Sequence, residues 1–178
     1  MDKGVLTFFC GKMGAGKSTK SSDIALERNA VLLSEDEWLE SIYPNKIASL
    51  EDYIAYSNQL KPQMKKLNQA ILVTGTDVVM DFPANTTAQR EWFKNLYSEI
   101  DAPHELVYID LSNENCLKQI KKRRIQQPER AATDTKEMFE AVTKHFIEPQ
   151  PEEVFNVIRV QRNATMQLKM PQKRGWTR

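Results

Sequence analysis

The octapeptide Gly11-Lys12-Met13-Gly14-Ala15-Gly16-Lys17-Ser18 constrains this chain more than any other feature. It fills the pattern G-x-x-x-x-G-K-[ST], in which small residues let consecutive backbone N–H groups curl around a β-phosphate. A helix opening near Gly16 would aim the positive end of its dipole at the same anion. Lys17 would place a charge between the β- and γ-phosphates, and the Ser18 hydroxyl would ligate Mg²⁺. Average residue usage yields such a match by accident in roughly one chain of this size in a few hundred. Here the motif also follows a strand-like run at residues 5–10 and precedes a helical pattern. Residues 11–19, ending at Thr19, are therefore expected to bind a nucleotide.

Apolar runs and helical stripes alternate along the rest of the chain. Residues 5–10, 30–33, 78–80, 106–109 and 155–160 are short and largely hydrophobic rather than alternating, the pattern of strands covered on both faces. Between them, Leu60, Met64, Leu67 and Ile71 follow 4-3-4 spacing, with Pro62 as an expected kink or restart. Trp92, Phe93, Leu96 and Ile100 form a second stripe and Phe139, Val142 and Phe146 a third. Their aromatics are assigned to core packing. Strand–helix alternation predicts βαβ units, hence an α/β three-layer fold on a parallel sheet. The 178 residues suffice for one such domain without a disulfide or metal staple, and 40% hydrophobic residues exclude a largely disordered chain. Cys10 and Cys116 lack the spacing of a disulfide framework or zinc knuckle. No apolar run approaches the ~20 residues of a membrane span, and the first residues have no signal-peptide layout. A cytoplasmic protein without a membrane partner is expected.

The remaining motifs narrow the use of the nucleotide. Guanine-specific switch proteins carry N-K-x-D, whereas Asn45-Lys46-Ile47-Ala48 lacks the aspartate. The run Val78-Val79-Met80 ends in Asp81, the Walker-B arrangement that places a carboxylate near Mg²⁺ or its waters. Dedicated ATPases commonly follow that aspartate with a glutamate that orients water. Here the position is Phe82, which favours transfer to a bound acceptor, although Glu35 or Glu37 could supply a carboxylate instead. Glu35, Asp36 and Glu37 end the second apolar run, at the sheet edge where α/β folds form their crevice. Asp36 is the preferred base for an acceptor hydroxyl, while Ser34 and Glu37 also form a capping-box pattern for the next helix. His104 and His145 match no ligand or triad spacing and are assigned structural or solvent-exposed roles.

Several segments together carry a family resemblance: GKMGAGKST, LLSEDEW, VVMDFPANTTAQREWF, CLKQIKKR from Cys116 to Arg123, and PEEVFNVI. The chain resembles bacterial AAA_33-type P-loop kinases, a group similar to chloramphenicol phosphotransferase, zeta toxins and the kinase domain of polynucleotide kinase. The resemblance covers roughly residues 4–160. It implies an adenylate-kinase-like core of five parallel strands ordered 2-3-1-4-5, with a small lid after the fourth strand. It puts Asp36 at the catalytic carboxylate and Arg123 at a lid arginine that stabilises charge on the transferring phosphoryl group, with Arg124 as the runner-up. Read without it, Lys121 to Arg124 is only a basic helix end. Asn85 and Arg90 would follow the Walker-B strand and face the acceptor, a solvated helix charge being the other reading of Arg90.

These expectations amount to a kinase domain over residues 1–160, with a lid at about 124–136. A basic tail follows over residues 161–178, with Arg162, Lys169, Lys173, Arg174 and Arg178 and no acid. ATP and Mg²⁺ are the expected cofactors, bound by residues 11–19 and by Ser18 and Asp81. Lys17, Asp36 and Arg123 would act on a small-molecule hydroxyl. A nucleic-acid 5′-hydroxyl is the second acceptor class, suggested by the tail and Lys121 to Arg124 but disfavoured by a net charge of +1. A nucleotide-sensing binding protein without turnover is the third reading. The acceptor's identity and the oligomeric state are left open.

Overall fold

The computed structural model describes residues 2–161, apart from the side chain of Glu129. The basic stretch expected beyond Gln161 lies outside the described residues. Five strands, β1 (Leu6–Cys10), β2 (Val31–Ser34), β3 (Val78–Pro83), β4 (His104–Asp110) and β5 (Val157–Gln161), form one sheet in the order β2-β3-β1-β4-β5. Every neighbouring pair is parallel. This is the α/β fold and strand order expected from the sequence.

Burial on both faces explains the apolar runs of β1, β3 and β4, whereas β2 and β5, at the edges of the sheet, depart from that expectation: Leu32, Val157 and Ile158 are exposed. Along β1 the side chains alternate: Leu6, Phe8 and Cys10 enter one core cluster and Phe9 the other. The first cluster takes Leu39 from α2 (Glu35–Ile42), Leu60, Met64 and Leu72 from α3 (Leu50–Leu72), and Phe93 and Leu96 from α4 (Thr87–Ser98). Phe8 stacks on Phe93 with ring centroids 4.3 Å apart. On the other face, Phe9, Val79, Val107 and Ile109 meet Ile24 and Ala25 of α1 (Lys17–Arg28). Cys116 and Ile120 of α5 (Asn113–Gln126) and Phe139 of α6 (Lys136–Thr143) complete that cluster. The result is three layers, helix, sheet and helix.

Two local expectations change. α3 runs through Pro62 as one 23-residue helix, because Leu60, Met64 and Leu72 are all anchored in the core on either side of the proline. α6 ends at Thr143, so Phe146 is no part of its stripe. It lies in the following segment, with its ring 6.3 Å from that of Tyr108. His104 stacks on Tyr97 at 3.9 Å between centroids, and its Nε2 accepts from Asn156 N–H at 3.2 Å, a structural role. Cys10 and Cys116 are free and buried, and burial pushes the Cys10 thiol up to about 12.

Candidate active site

β1 delivers the chain into the phosphate loop. Gly14 (φ 78°) and Gly16 (φ 96°) both adopt the left-handed conformation that side chains resist. At Gly14 there is also no room: a Cβ would lie 2.7 Å from Cys116 O and from Ile120 Cγ1, so the loop is pressed onto α5. Ala15 is buried and its N–H donates to Lys12 O at 3.0 Å, closing the turn. α1 starts at Lys17 with no side-chain cap on Gly16, which leaves its first N–H groups open to an anion. Thr19 is exposed in the first turn of that helix, and Lys12 and Met13 are half-buried in the loop.

Lys17 Nζ donates to Gly11 O at 2.5 Å and to Lys12 O at 3.1 Å. Burial lowers its pKa, and the Asp81 carboxylate opposes that shift. Asp81 follows Val78, Val79 and Met80 within β3, on the strand next to β1 and its phosphate loop. Burial raises its pKa, Ser18 and Lys17 pull it down, and the charges of Asp36 and Glu37 add to the rise. Lys17, Ser18, Asp81 and Asp36 thus share one electrostatic field. Among the described residues there is no cluster of three or more His, Cys, Asp or Glu side chains able to hold a metal. Ser18 and Asp81 offer one hydroxyl and one carboxylate instead. That sparse set suits Mg²⁺, which completes its shell with phosphate oxygens and water.

β2 ends at Ser34, whose hydroxyl accepts from Glu37 N–H at 3.4 Å and caps α2. This places Asp36 in the first turn, its side chain 62% exposed, with Arg130 Nη2 3.5 Å from Asp36 Oδ2. Arg130 belongs to a 3₁₀ turn (Pro128–Ala132) between α5 and α6, within the segment expected to form the lid. Arg123, on the last turn of α5, is held by the buried Asp134: Nε to Oδ2 at 2.6 Å and Nη2 to Oδ1 at 2.5 Å. Arg130 Nε lies 3.5 Å from Asp134 Oδ2, buried and without a hydrogen-bond partner among the described residues. One carboxylate therefore gathers two arginines, and of the two it is Arg130 that reaches Asp36. Sequence reasoning missed Arg130 and Asp134, whose signal was only a polar loop with one proline. Arg124, the runner-up, is exposed.

Two residues after β3 occupy other positions than those expected. Asn85 turns its Oδ1 to Gly11 N–H at 2.9 Å, onto the phosphate loop itself. Arg90 is neither solvated nor turned toward a crevice, because its side chain is 0% exposed and engaged within the fold. It donates to Glu153 at 2.9 and 3.1 Å, to Ala84 O at 3.0 Å, to Ile147 O at 2.8 Å and to Glu148 O at 3.4 Å. Beside Asp36, Glu35 is 2% exposed and accepts from Ser57 Oγ at 2.5 Å and from the Tyr53 hydroxyl, both on α3. Burial raises its pKa, and these two donors hold the rise back.

The sheet order and the glycine-built loop opening α1 define a P-loop protein with a kinase-like fold. The chain belongs to the AAA domain family AAA_33, which matches residues 6–149. Comparison with curated proteins gives no significant match. Among solved structures, a provisionally assigned kinase from Chloroflexus aurantiacus superposes with a TM-score of 0.70 at 21% identity, over 90% of this chain and 86% of its own. The Mycobacterium tuberculosis APS kinase CysC, in complex with AMPPNP and APS, gives 0.60 at 15% identity, over 90% of each chain. A chain of the Pnkp1/Rnl/Hen1 RNA repair complex gives 0.60 at 20%, over 83% of this chain and 47% of its own. These likenesses bear on the fold.

Proposed function

We propose that this protein is an ATP·Mg²⁺-dependent phosphotransferase that moves the γ-phosphoryl group to a hydroxyl of a small molecule in the cytoplasm. The observation that carries the reading is the meeting of Asp36 and Arg130 beside a complete phosphate loop, with Asp81 and Ser18 adjoining Lys17. Backbone N–H groups of residues 13–18 would cradle the β-phosphate, and Lys17 would exchange its loop carbonyls for the β- and γ-oxygens. Mg²⁺ held by Ser18 and Asp81 would neutralise charge building on those oxygens. The acceptor oxygen would attack the γ-phosphorus as the bond to the β-bridging oxygen breaks, and Asp36 would take the hydroxyl proton as ADP leaves. Arg123 and Arg130 would balance the charge on the equatorial oxygens.

The test is a mass-spectrometric transfer assay with ATP·Mg²⁺ and a pooled panel of hydroxyl-bearing metabolites, antibiotics, nucleosides and 5′-hydroxyl oligonucleotides. A product heavier by one phosphoryl group is expected with the wild type. Asp36→Asn should lower its rate by about 10²–10⁴-fold while ATP affinity stays within about twofold. Equal transfer by Asp36→Asn removes the base assignment. Phosphate found only on oligonucleotides moves the acceptor to nucleic acid.

A further inference from the structure

Asn85 sits where an acceptor ligand was expected, yet every hydrogen bond it makes points elsewhere. Its Oδ1 accepts from Gly11 N–H at 2.9 Å, across 74 positions of sequence. Its own N–H donates to Gln89 Oε1 at 2.8 Å, and its carbonyl accepts from Ile147 N–H at 2.9 Å. Ala84, just before it, donates to Phe9 O at 3.0 Å. Asn85 is thus pinned by α4 on one side and by the segment after α6 on the other. Arg90 fastens that segment through Ile147 O, Glu148 O and Glu153. The residue it grips is the one that takes Lys17: Gly11 gives its N–H to Asn85 and its carbonyl to Lys17 Nζ. Lys12, the other carbonyl partner of Lys17, has its ammonium 5.7 Å from the centroid of the Phe146 ring, next to Ile147.

From this we infer that Asn85 is a positioning residue of the nucleotide site, which fixes the first peptide of the phosphate loop and through it the resting place of Lys17. This rests on the nucleotide-binding part of the proposed function and on no particular acceptor. The physical argument is one of loop entropy. Residues 11–16 carry three glycines, and a glycine-rich loop loses the most conformational freedom when it must close on a phosphate. An outside bond on Gly11 restrains the loop before the ligand arrives, so less ordering is left to binding. The amide is the right group for this place. It supplies an acceptor to Gly11 without setting a negative charge beside a triphosphate, as aspartate would.

Two readouts test the inference. In the wild type, the Gly11 amide should exchange with solvent more slowly than an exposed loop amide, and Asn85→Ala should remove that protection. Calorimetry should show Asn85→Ala binding ATP·Mg²⁺ about tenfold more weakly, the factor expected for one lost hydrogen bond of ordinary strength. Its KM for any acceptor should be unchanged. Glu153→Gln serves as the contrast, since Arg90 keeps its bonds to Ala84 O and Ile147 O there and Asn85 keeps its own to Gly11 and Gln89: its melting temperature should fall while ATP affinity holds. Unprotected Gly11 in the wild type overturns the inference even if Asn85→Ala fails to fold. Unchanged ATP affinity in Asn85→Ala overturns it as well, and a raised acceptor KM alone returns Asn85 to the acceptor wall. A wild type with a protected Gly11 amide that binds no ATP defeats the nucleotide reading instead.

Discussion

Glu35 and Asp36 are adjacent carboxylates at the end of β2, and their surroundings separate them. Asp36 projects to solvent near Arg130, whereas Glu35 turns into the core and takes two hydroxyl donors from α3. Neighbouring acids with opposed environments are the usual way one site keeps one carboxylate reactive and another structural. Because burial raises its pKa, folded Glu35 retains its proton over a range of pH in which the unfolded chain has released it. The native state binds the extra proton there, so this contribution to stability is whole below the ordinary glutamate value and is lost as pH rises through the folded value. Glu35→Gln should lack that loss. Denaturant midpoints of variant and wild type, compared at about pH 4.5 and pH 7.5, should show the variant gaining on the wild type at the higher pH. Parallel profiles would mean that Glu35 is not held protonated. None of this was legible in LLSEDEW, where Glu35 reads as one more acid in a helix's first turn. Its burial depends on Tyr53 and Ser57, which arrive 18 and 22 residues later.

The elements were more legible than the contacts between them. Each of the five apolar runs became a strand of the sheet, because hydrophobicity on both faces is a local property that needs no partner to be seen. The end of α6 was misplaced because Phe146 continues the helical spacing after the backbone has left it. Capping decides such ends, and α4 shows the beginning of one. Thr86 accepts from Gln89 N–H at 3.2 Å while Gln89 Oε1 accepts from Thr86 N–H at 3.1 Å, a complete capping box. The same Gln89 oxygen takes the N–H of Asn85 at 2.8 Å, so the helix start and the turn after β3 are built as one unit. Thr86→Ala should cost about 1 kcal/mol in chemical denaturation, the ordinary worth of an N-cap. A cost well beyond about 2 kcal/mol would show that the turn collapses with the cap. Arg90 illustrates the opposite limit. A lone arginine on a polar helix face gives no warning of burial, which follows from the return of residues 147–153 some sixty positions downstream.

At the scale of the whole molecule, the strand order gathers the chemistry at one edge. From β1 the chain runs outward to β2, comes back to β3, then passes β1 to reach β4. The carboxyl ends of β1, β2 and β3 carry the phosphate loop, Asp36 and Asp81, at the point where the winding reverses, the edge at which open α/β sheets bind their ligands. That edge joins separate parts of the fold: α1 and α5 on one face of the sheet meet the turn after β3 at the loop. A ligand seated there should stabilise the molecule as a whole, since only the folded chain brings these segments together. With ATP·Mg²⁺ at about a hundred times its dissociation constant, linkage gives about 2.7 kcal/mol. For a domain of this size that corresponds to a rise of about 5–11 °C in melting temperature. Lys17→Ala should melt near the nucleotide-free wild type and lose most of the rise, because the half-buried ammonium, now held by the Gly11 and Lys12 carbonyls, is the charge that phosphate oxygens would meet. Asp36→Asn should keep the full rise, as the role proposed for its carboxylate lies with the acceptor and not with the nucleotide. A thermal shift that survives Lys17→Ala would place the nucleotide somewhere other than the loop.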